Sequence, residues 1–555
     1  MSAECLPFSD IPHITSLFSD YLYNFARVES FYPRPPQLTS WATDEAKKIS
    51  YNETRRERVA AILDRQNLAW GAPSATRENI SRLRSGACAM VTGQQVGLFG
   101  GPLFSIFKAL SAVTMAEAVS RQGVSCVPVF WLATEDHDLA EVNHAGLLGR
   151  DGSLHQVPAS SHAGENSPMS KVVFGREIET AVDEAASLLG DTETSDQLRE
   201  FYRPGETMGS AFARLFTALF GRFGLILLDP ADPELHALAV PLYRQALEQS
   251  AKLNDQLLKR GKELEQAGYH QQVKVTPSST LLFSIRDGQR LPIHRANSNH
   301  EDFRIETAKV TRDALLAQIA NAPHQFSANV LLRPVVQDFL LPTIAYIGGA
   351  AEVAYFAQAG VVYQQLLGRV TPILLRFSAT LVEPKAHELM QRYDLKFTDL
   401  FHGPEHLREL MAGRVLPQEL QTSFEAAEAR LCQSLEQING SLEKLDKTLV
   451  EAANKAAAKM RYQLHRLHGR AARAELRKNE VIAHHAHLLS FALYPAKALQ
   501  EREIAAAYFL AHHGAALLDR LQQSMQAQQS MQAQQSTQAQ QSMQACCLDH
   551  QIIYL

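Results

Sequence analysis

The chain has 555 residues and a net charge of −5, with 46% hydrophobic and 20% charged residues. This composition is that of a globular protein, and the slightly acidic balance argues against a nucleic-acid-binding protein. No run of about 18 apolar residues predicts a membrane span, and no basic region followed by an apolar core predicts a signal peptide. The six cysteines form no C-x-x-C pair, which favours reduced thiols and a cytoplasmic location.

The first part of the chain, residues 1–85, is predicted to be helical, because Val59, Ile62 and Leu63 share one helix face. The next part, residues 86–380, alternates strand and helix patterns, which favours a mostly parallel α/β sheet. Its predicted elements are strands at 87–91, 127–133, 224–230 and 372–378, helices at 208–220, at 233–266 and from Pro102, a hairpin at 280–295 with its turn at Asp287-Gly288, and a strand, loop and helix at 329–358.

A helical arm follows at residues 381–489. Apolar residues alternate at spacings of four and three, the pattern of a coiled-coil seam; they are Leu431, Leu435, Ile438, Leu442, Leu445, Leu449, Ala452 and Ala456. No proline occurs between 418 and 494, so one helix could run to about residue 489. Such an arm needs a partner helix, supplied by an antiparallel hairpin or by a dimer; packing on its own domain is the alternative.

The C-terminal part contains three predicted segments. Residues 490–521 are predicted to be helices that return to the core. Residues 522–545 repeat the hexapeptide Q-Q-S-M-Q-A with one threonine variant, which predicts a disordered or frayed-helical surface expansion. Residues 546–555 are predicted to end in a strand.

The first candidate site is the glycine-rich loop Thr92–Gly101 between the first two core strands. Its glycines would let the backbone approach a ligand, and the helix that follows would favour an anion. Neither standard phosphate-binding spacing is present, so a turn needed only for tight packing is the alternative. The predicted phosphate-binding residues are Thr92, Gln94, Gln95, Gly100, Gly101 and Lys108.

The second candidate site is the run Glu135-Asp136-His137-Asp138, which follows the second core strand. Three carboxylates beside an imidazole suit general base catalysis or the binding of an ammonium group. A loop whose Asp138 caps the next helix is the alternative. Neighbouring residues on an extended loop point in opposite directions, so no metal site is predicted.

The third candidate site lies within residues 333–358. Arg333 is placed at a strand end, where it could bind a carboxylate or phosphate in two-pronged fashion. A structural ion pair between Arg333 and Asp338 is the alternative. The predicted substrate-binding residues are Arg333, Gln337, Asp338, Glu352 and Gln358.

These motifs resemble one protein family. T-G-Q-Q-V-G-L-F-G-G-P-L-F-S-I-F-K, F-W-L-A-T-E-D-H-D-L-A-E-V, L-R-P-V-V-Q-D-F-L-L-P-T, G-G-A-A-E-V-A-Y-F-A-Q and L-Y-P-A-K-A-L-Q-E-R are similar to segments of the cysteine-adding enzymes of bacillithiol biosynthesis, the cysteine ligases. The resemblance extends over nearly the whole chain. The glutamine-rich repeat and Ala496-Lys497 depart from the family pattern.

The resemblance implies a Rossmann-like core similar to that of class I nucleotidylyltransferases, with insertions at about 151–222 and 268–328, and a coiled-coil arm that dimerises. It implies that L-cysteine is added to glucosaminyl-malate, an amide bond formation for which we expect ATP with Mg²⁺ and no redox cofactor. The expected partners are these small molecules and a second copy of the chain, without nucleic acid or membrane.

Three functions are therefore compared. In the ligase hypothesis, the Thr92–Lys108 residues hold the nucleotide, Glu135, Asp136 and His137 bind the cysteine ammonium or deprotonate the glucosamine amine, and Arg333 binds a malate carboxylate. The alternatives are a non-catalytic coiled-coil scaffold and a metal-dependent amidase acting on an aminosugar conjugate.

Overall fold

The computed structural model describes residues 3–38, 41–160, 164, 166–296, 302–414, 418–446, 448–476, 480–534 and 548–555. The last part of the predicted repeat, residues 535–545, and both Cys546 and Cys547 lie outside this described part. The described strands are β1 (Ala3–Leu6), β2 (Cys88–Gln94), β3 (Cys126–Leu132), β4 (His144–Leu148), β5 (Leu154–Pro158), β6 (Ile226–Leu228), β7 (Ser279–Arg286), β8 (Gln289–Arg295), β9 (Asp302–Ile305), β10 (Ala308–Thr311), β11 (Phe326–Ala328), β12 (Thr343–Gly348), β13 (Ile373–Leu375), β14 (Ala379–Val382) and β15 (His550–Tyr554).

The helices connect and cover these strands, and the described α-helices follow in chain order. They are α1 (Ser16–Tyr23), α2 (Ala42–Lys47), α3 (Glu53–Ala69), α4 (Ser74–Arg84), α5 (Phe104–Arg121), α6 (Leu139–Val142), α7 (Glu177–Leu189), α8 (Glu193–Phe201), α9 (Met208–Phe220), α10 (Pro233–Glu248), α11 (Ser250–Gln266), α12 (Arg312–Asn321), α13 (Arg333–Leu340), α14 (Ala350–Leu367), α15 (Pro384–Arg392), α16 (Pro404–Arg414), α17 (Gln418–Leu445), α18 (Thr448–Leu476), α19 (Glu480–Leu493), α20 (Gln500–Glu503), α21 (Ala506–His513) and α22 (Ala516–Gln534).

The central sheet has five parallel strands in the order β13-β12-β2-β3-β6. Every residue of β3 is buried, as expected of a strand with helices on both faces of its sheet. Because the strands are parallel, their carboxyl ends lie at one edge. The predicted α/β core is therefore confirmed.

Smaller sheets surround this core. β4 pairs with β5, and β7 to β11 form an antiparallel sheet in the order β10-β9-β8-β7-β11. The predicted hairpin at 280–295 is confirmed, and Asp287 and Gly288 take the left-handed φ angles of 49° and 80° that a two-residue hairpin turn requires.

The predicted C-terminal strand is confirmed as β15, which lies between β1 and β14. The buried His550 ring anchors this strand, because its two nitrogens lie 2.7 Å from Ser378 Oγ and 2.9 Å from Thr380 Oγ1. The strand is therefore fixed to the body of the protein by side chains as well as by its backbone.

The unit predicted at 329–358 is wrong at its start, because Arg333 begins helix α13 and the strand, β12, comes later. The Asn329 side chain accepts the backbone N–H groups of Leu331 and Leu332, each at 3.0 Å. Pro334 then occupies the first turn, where a missing N–H costs nothing. Similarly, α5 begins at Phe104 rather than at Pro102.

The predicted continuous helix of the arm is also wrong, because the chain reverses at Asp446 and forms an antiparallel hairpin of α17 and α18. Asn439 Nδ2 lies 3.0 Å from Asn454 Oδ1 across this hairpin, and Asp446 accepts the Thr448 N–H at 2.8 Å. Leu445 of the predicted seam is 78% exposed because it adjoins the reversal. Of the alternatives for a partner helix, the structure shows the hairpin.

Two further expectations need correction. The first repeat unit packs on α5: Met525 is buried, and Gln522 and Gln526 donate to the Glu117 carboxylate at 3.1 and 2.8 Å. Cys5 is disulfide-bonded, whereas the other three described cysteines are free thiols.

No helix within the described ranges combines the length and apolar character needed to cross a membrane.

Candidate functional site

The candidate site lies at the carboxyl edge of the central sheet. The glutamine pair lies where β2 ends, the acidic run lies in the loop after β3, and the loops after β6, β12 and β13 complete the edge. The parallel pairing of β2 with β3, which extends to Gln94 and Leu132, brings the first two loops side by side.

Glu135 is buried against a histidine that sequence analysis missed. Glu135 Oε1 lies 3.4 Å from His236 Nε2 of α10, and no described residue hydrogen-bonds to that oxygen. Burial raises the pKa of Glu135 to about 8, although Arg290 opposes the rise. Burial lowers the pKa of His236 to about 4. Glu135 therefore keeps its proton near neutrality, which suits general acid–base catalysis.

Asp136, the next residue, has the opposite environment. Its Oδ1 accepts the His137 backbone N–H, and its Oδ2 accepts the Gln95 amide N–H, both at 2.8 Å. Burial alone would raise its pKa, but His137, Arg290 and these hydrogen bonds together lower the pKa of Asp136 to about 2. Two adjacent carboxyl groups are thus held in different protonation states near neutrality: Glu135 is mostly the neutral acid, and Asp136 is the anion.

Arg290 of β8 reaches this loop from the second insertion. Its Nε donates to Ser327 Oγ at 2.9 Å and its Nη2 to the Ala328 carbonyl at 2.7 Å. Its Nη1 lies 3.0 Å from His137 Nδ1 and 3.7 Å from Asp136 Oδ1. Sequence analysis missed this residue, because an arginine in a hairpin strand carries no sign of a partner so far away in the chain.

Asp138, the last residue of the acidic run, takes no part in these contacts. Asp138 is exposed at the start of α6, and its side chain makes no capping hydrogen bond. On the neighbouring strand end, Asp229 is hydrogen-bonded by the Thr134 hydroxyl, and burial raises its pKa.

The glycine-rich turn packs inside the protein. Residues 97–101 are buried, and the Gly100 N–H donates to the Tyr202 hydroxyl at 3.1 Å. A Cβ on Gly97 would stand 2.8 Å from Gly101 Cα, so the glycine is needed for a close backbone approach. Thr92 Oγ1 donates to the Ile347 carbonyl at 3.0 Å. The prediction that Thr92, Gly100 and Gly101 hold a phosphate is therefore corrected: these groups serve packing.

The ammonium group of Lys108 is also bound entirely within the protein. Its ammonium donates to the Gly93 carbonyl at 2.8 Å, to Gln94 Oε1 at 2.9 Å and to the Glu352 carboxylate, which uses all three of its donors. Burial lowers the pKa of Lys108. Burial alone would raise the pKa of Glu352, but Lys108 and the Gly349 N–H lower it. This buried ion pair fixes the edge of the sheet between β2 and β12. The amide nitrogen of Gln94 has no hydrogen-bond partner among the described residues.

The predicted substrate-binding residues of the third candidate site have different environments in the structure. Arg333 donates to Gln337 Oε1 at 3.2 Å and to the Tyr355 hydroxyl at 2.8 Å, not to Asp338. Asp338 instead accepts the Tyr363 hydroxyl at 2.7 Å, so the predicted Arg333–Asp338 pair is wrong.

Gln358 binds only backbone. Its amide exchanges two 2.8 Å hydrogen bonds with the backbone of Val273. Gln337, Asp338 and Gln358 are therefore buried structural residues, whereas Arg333 and Glu352 lie toward the edge.

The sequence was compared with known proteins. Residues 1–377 match the family described as "Bacillithiol biosynthesis BshC, N-terminal Rossmann-like domain", and residues 379–534 match its "C-terminal coiled-coil domain". A relative from Koribacter versatilis, named "Putative cysteine ligase BshC", is 51% identical over 94% of this chain and 97% of its own length. Relatives with the same name from Solibacter usitatus and Salinibacter ruber are 36% and 33% identical over 95% and 92% of this chain, covering 98% and 94% of their own lengths.

Proposed function

Since the chain belongs to the BshC family of bacillithiol biosynthesis, we propose that it is a cysteine ligase that joins L-cysteine to the amine of glucosaminyl-malate and so forms bacillithiol. The observation that carries this proposal is the pair of neighbouring carboxyl groups, Glu135 and Asp136, whose pKa values are moved to about 8 and about 2. Amide formation from an amino acid and an amine needs one group that takes a proton and one that binds an ammonium.

The cysteine carboxylate must be activated, because condensation of a free carboxylate with an amine is uphill in water. We propose ATP, with Mg²⁺, as the activating co-substrate, through an acyl-adenylate or an acyl-phosphate. The buried turn at residues 97–101 does not fit a nucleotide. The remaining candidates at this edge are the Gln94 amide and the first turn of α14 after Gly349, where a helix N-terminus favours an anion beside Arg376; the Gly349 N–H itself is bound by Glu352.

The roles of the acidic loop follow from its environment. Asp136, ionised and exposed enough to meet a ligand, binds the cysteine ammonium. Because the pKa of Glu135 is about 8, a fraction of this carboxyl group is ionised near neutrality, and in that form Glu135 takes the proton from the glucosamine amine. The amine has no lone pair for attack until that proton leaves. Arg333 has N–H donors in addition to those that bind Gln337 and Tyr355. These N–H groups donate hydrogen bonds to a malate carboxylate.

We also propose that the chain forms a homodimer through the α17–α18 hairpin and acts in the cytoplasm. The hairpin leaves large apolar side chains in solvent, which is a common sign of an interface; among them are Ile438 (51% exposed), Met460 (49%), Tyr462 (63%) and Leu467 (56%).

The test is reconstitution. Purified protein, L-cysteine, glucosaminyl-malate and Mg·ATP should yield bacillithiol by mass spectrometry, with AMP or ADP formed in equal amount. The nucleotide product distinguishes the two forms of activation. Omission of ATP should abolish the product, and the D136N variant should raise the KM for cysteine. Failure to form product with all substrates present, or formation without ATP, would overturn the respective part of the proposal. Deletion of the gene should cause glucosaminyl-malate to accumulate.

A further inference from the structure

The contact between Arg290 and His137 determines which imidazole nitrogen carries the proton. Arg290 Nη1 lies 3.0 Å from His137 Nδ1. A guanidinium has N–H donors and no acceptor, so Nδ1 can only receive this hydrogen bond through its lone pair. In the neutral ring the remaining proton then sits on Nε2. The arginine thus selects one tautomer of the histidine.

The competing contact is weaker. Asp136 Oδ1 lies 3.6 Å from Nδ1, beyond hydrogen-bond length, and already accepts the His137 backbone N–H at 2.8 Å. Arg290 cannot turn away, because Ser327 and Ala328 hold two of its nitrogens and its Cζ lies 4.1 Å from the centre of the Phe283 ring. The guanidinium is therefore a fixed donor.

The other ring nitrogen of His137 is available to a ligand. The side chain is 30% exposed, and Nε2 has no hydrogen bond to any described residue. A neutral histidine that presents an N–H at a strand end can stabilise negative charge on oxygen, whereas it has no lone pair there to accept a proton.

We propose that His137 is the oxyanion donor of the ligation rather than its base, and that Arg290 is the positioning residue that fixes the donor tautomer. This inference rests on the proposed ligase function. As the amine forms its C–N bond to the activated acyl carbon, the carbonyl π electrons move onto oxygen, and His137 Nε2–H hydrogen-bonds to that oxygen without losing its proton. The amine proton goes to the ionised form of Glu135, which becomes the neutral acid, and the oxyanion then collapses and expels the phosphate-bearing leaving group.

Two substitutions at His137 separate a donor from a base. A glutamine amide N–H can occupy the Nε2 position, whereas an asparagine amide reaches only the Nδ1 position, and neither amide is a base. We expect H137Q to keep kcat within about tenfold of the wild type, and H137N and H137A to lose roughly 10² to 10³-fold. If H137Q loses as much as H137A while its melting temperature is unchanged, the donor role is wrong.

The tautomer can be measured without any activity. ¹⁵N NMR of histidine-labelled protein, assigned with H137N, should show His137 with Nδ1 unprotonated and Nε2 protonated. R290M should remove this preference and lower kcat, whereas R304Q, a change at an exposed arginine on neighbouring β9, should do neither. A protonated Nδ1 in the wild type would overturn the inference even if ligation is confirmed; the expected tautomer in a protein that makes no bacillithiol would instead refute the proposed function.

Discussion

The raised pKa of Glu135 predicts that replacing this residue by glutamine stabilises the protein at high pH. In the folded chain the carboxyl keeps its proton up to about pH 8, whereas in the unfolded chain it ionises near its ordinary value of about 4.5. Folding therefore takes up a proton between these two pH values. The contribution of this group is fully present below pH 4.5 and is lost as the pH rises through the folded pKa.

The size of the effect follows from the same two values. Between pH 5 and pH 9 this proton uptake lowers the free energy of unfolding of the wild type by roughly 4 kcal/mol. E135Q has no such group and does not lose this stability. The Glu135 side chain is 13% exposed, so solvent screens little of this. If the matched Rossmann-like domain, residues 1–377, melts as one unit, its unfolding entropy is roughly 0.8 kcal/mol/K, which converts the difference to about 5 °C.

The assay is the melting temperature by scanning fluorimetry at pH 5, 6, 7, 8 and 9. The gap between E135Q and the wild type should widen by about 5 °C toward high pH. E179Q, a change at an exposed glutamate on α7, should follow the wild type at every pH. A constant gap across the range would refute the idea that Glu135 is buried as the neutral acid.

Three further predictions concern packing and assembly. K108M leaves the Glu352 carboxylate buried and without its ion-pair partner, so we expect the free energy of unfolding, measured by thermal denaturation, to fall by about 3–5 kcal/mol. Adding E352Q should recover part of this stability. An unchanged loss in the double variant would contradict the ion-pair explanation. G97A should lower the melting temperature because its Cβ meets backbone, whereas G440A, with no atom within 4 Å of its Cβ, should not. I438D should convert a dimer to a monomer in light scattering, and a wild type that is already monomeric would refute the proposed dimer.

Local sequence patterns predicted the core well. The β2–α5–β3 unit and the hairpin at Asp287-Gly288 are set by residues close together in the chain, so hydrophobic runs and turn residues reveal them. At the start of α13 the sequence pattern alone predicts a strand, because its short apolar run fits either structure. The Asn329 side chain, which caps two N–H groups there, decides between them.

The site was predicted in part, and what was missed depends on contacts between distant segments. The acidic run is visible in the sequence, but His236 and Arg290, which give Glu135 and His137 their chemical states, lie about 100 and 150 residues further along the chain. The glycine-rich loop was ambiguous for the same reason: its spacing cannot show that Tyr202 takes the Gly100 N–H.

The pairing of β1 with β15 has a consequence for synthesis of the chain on the ribosome. Cys5 and Gln551 face each other in this pair although 546 residues separate them. β1 leaves the ribosome early, yet the strand that covers it is translated after both matched domains. β14 pairs with the same strand, so the edge of β1 and, once it has been translated, the edge of β14 stay open until β15 is made and are exposed to pairing with other nascent chains. For β1, at about 5–20 residues per second, that interval is on the order of half a minute to two minutes.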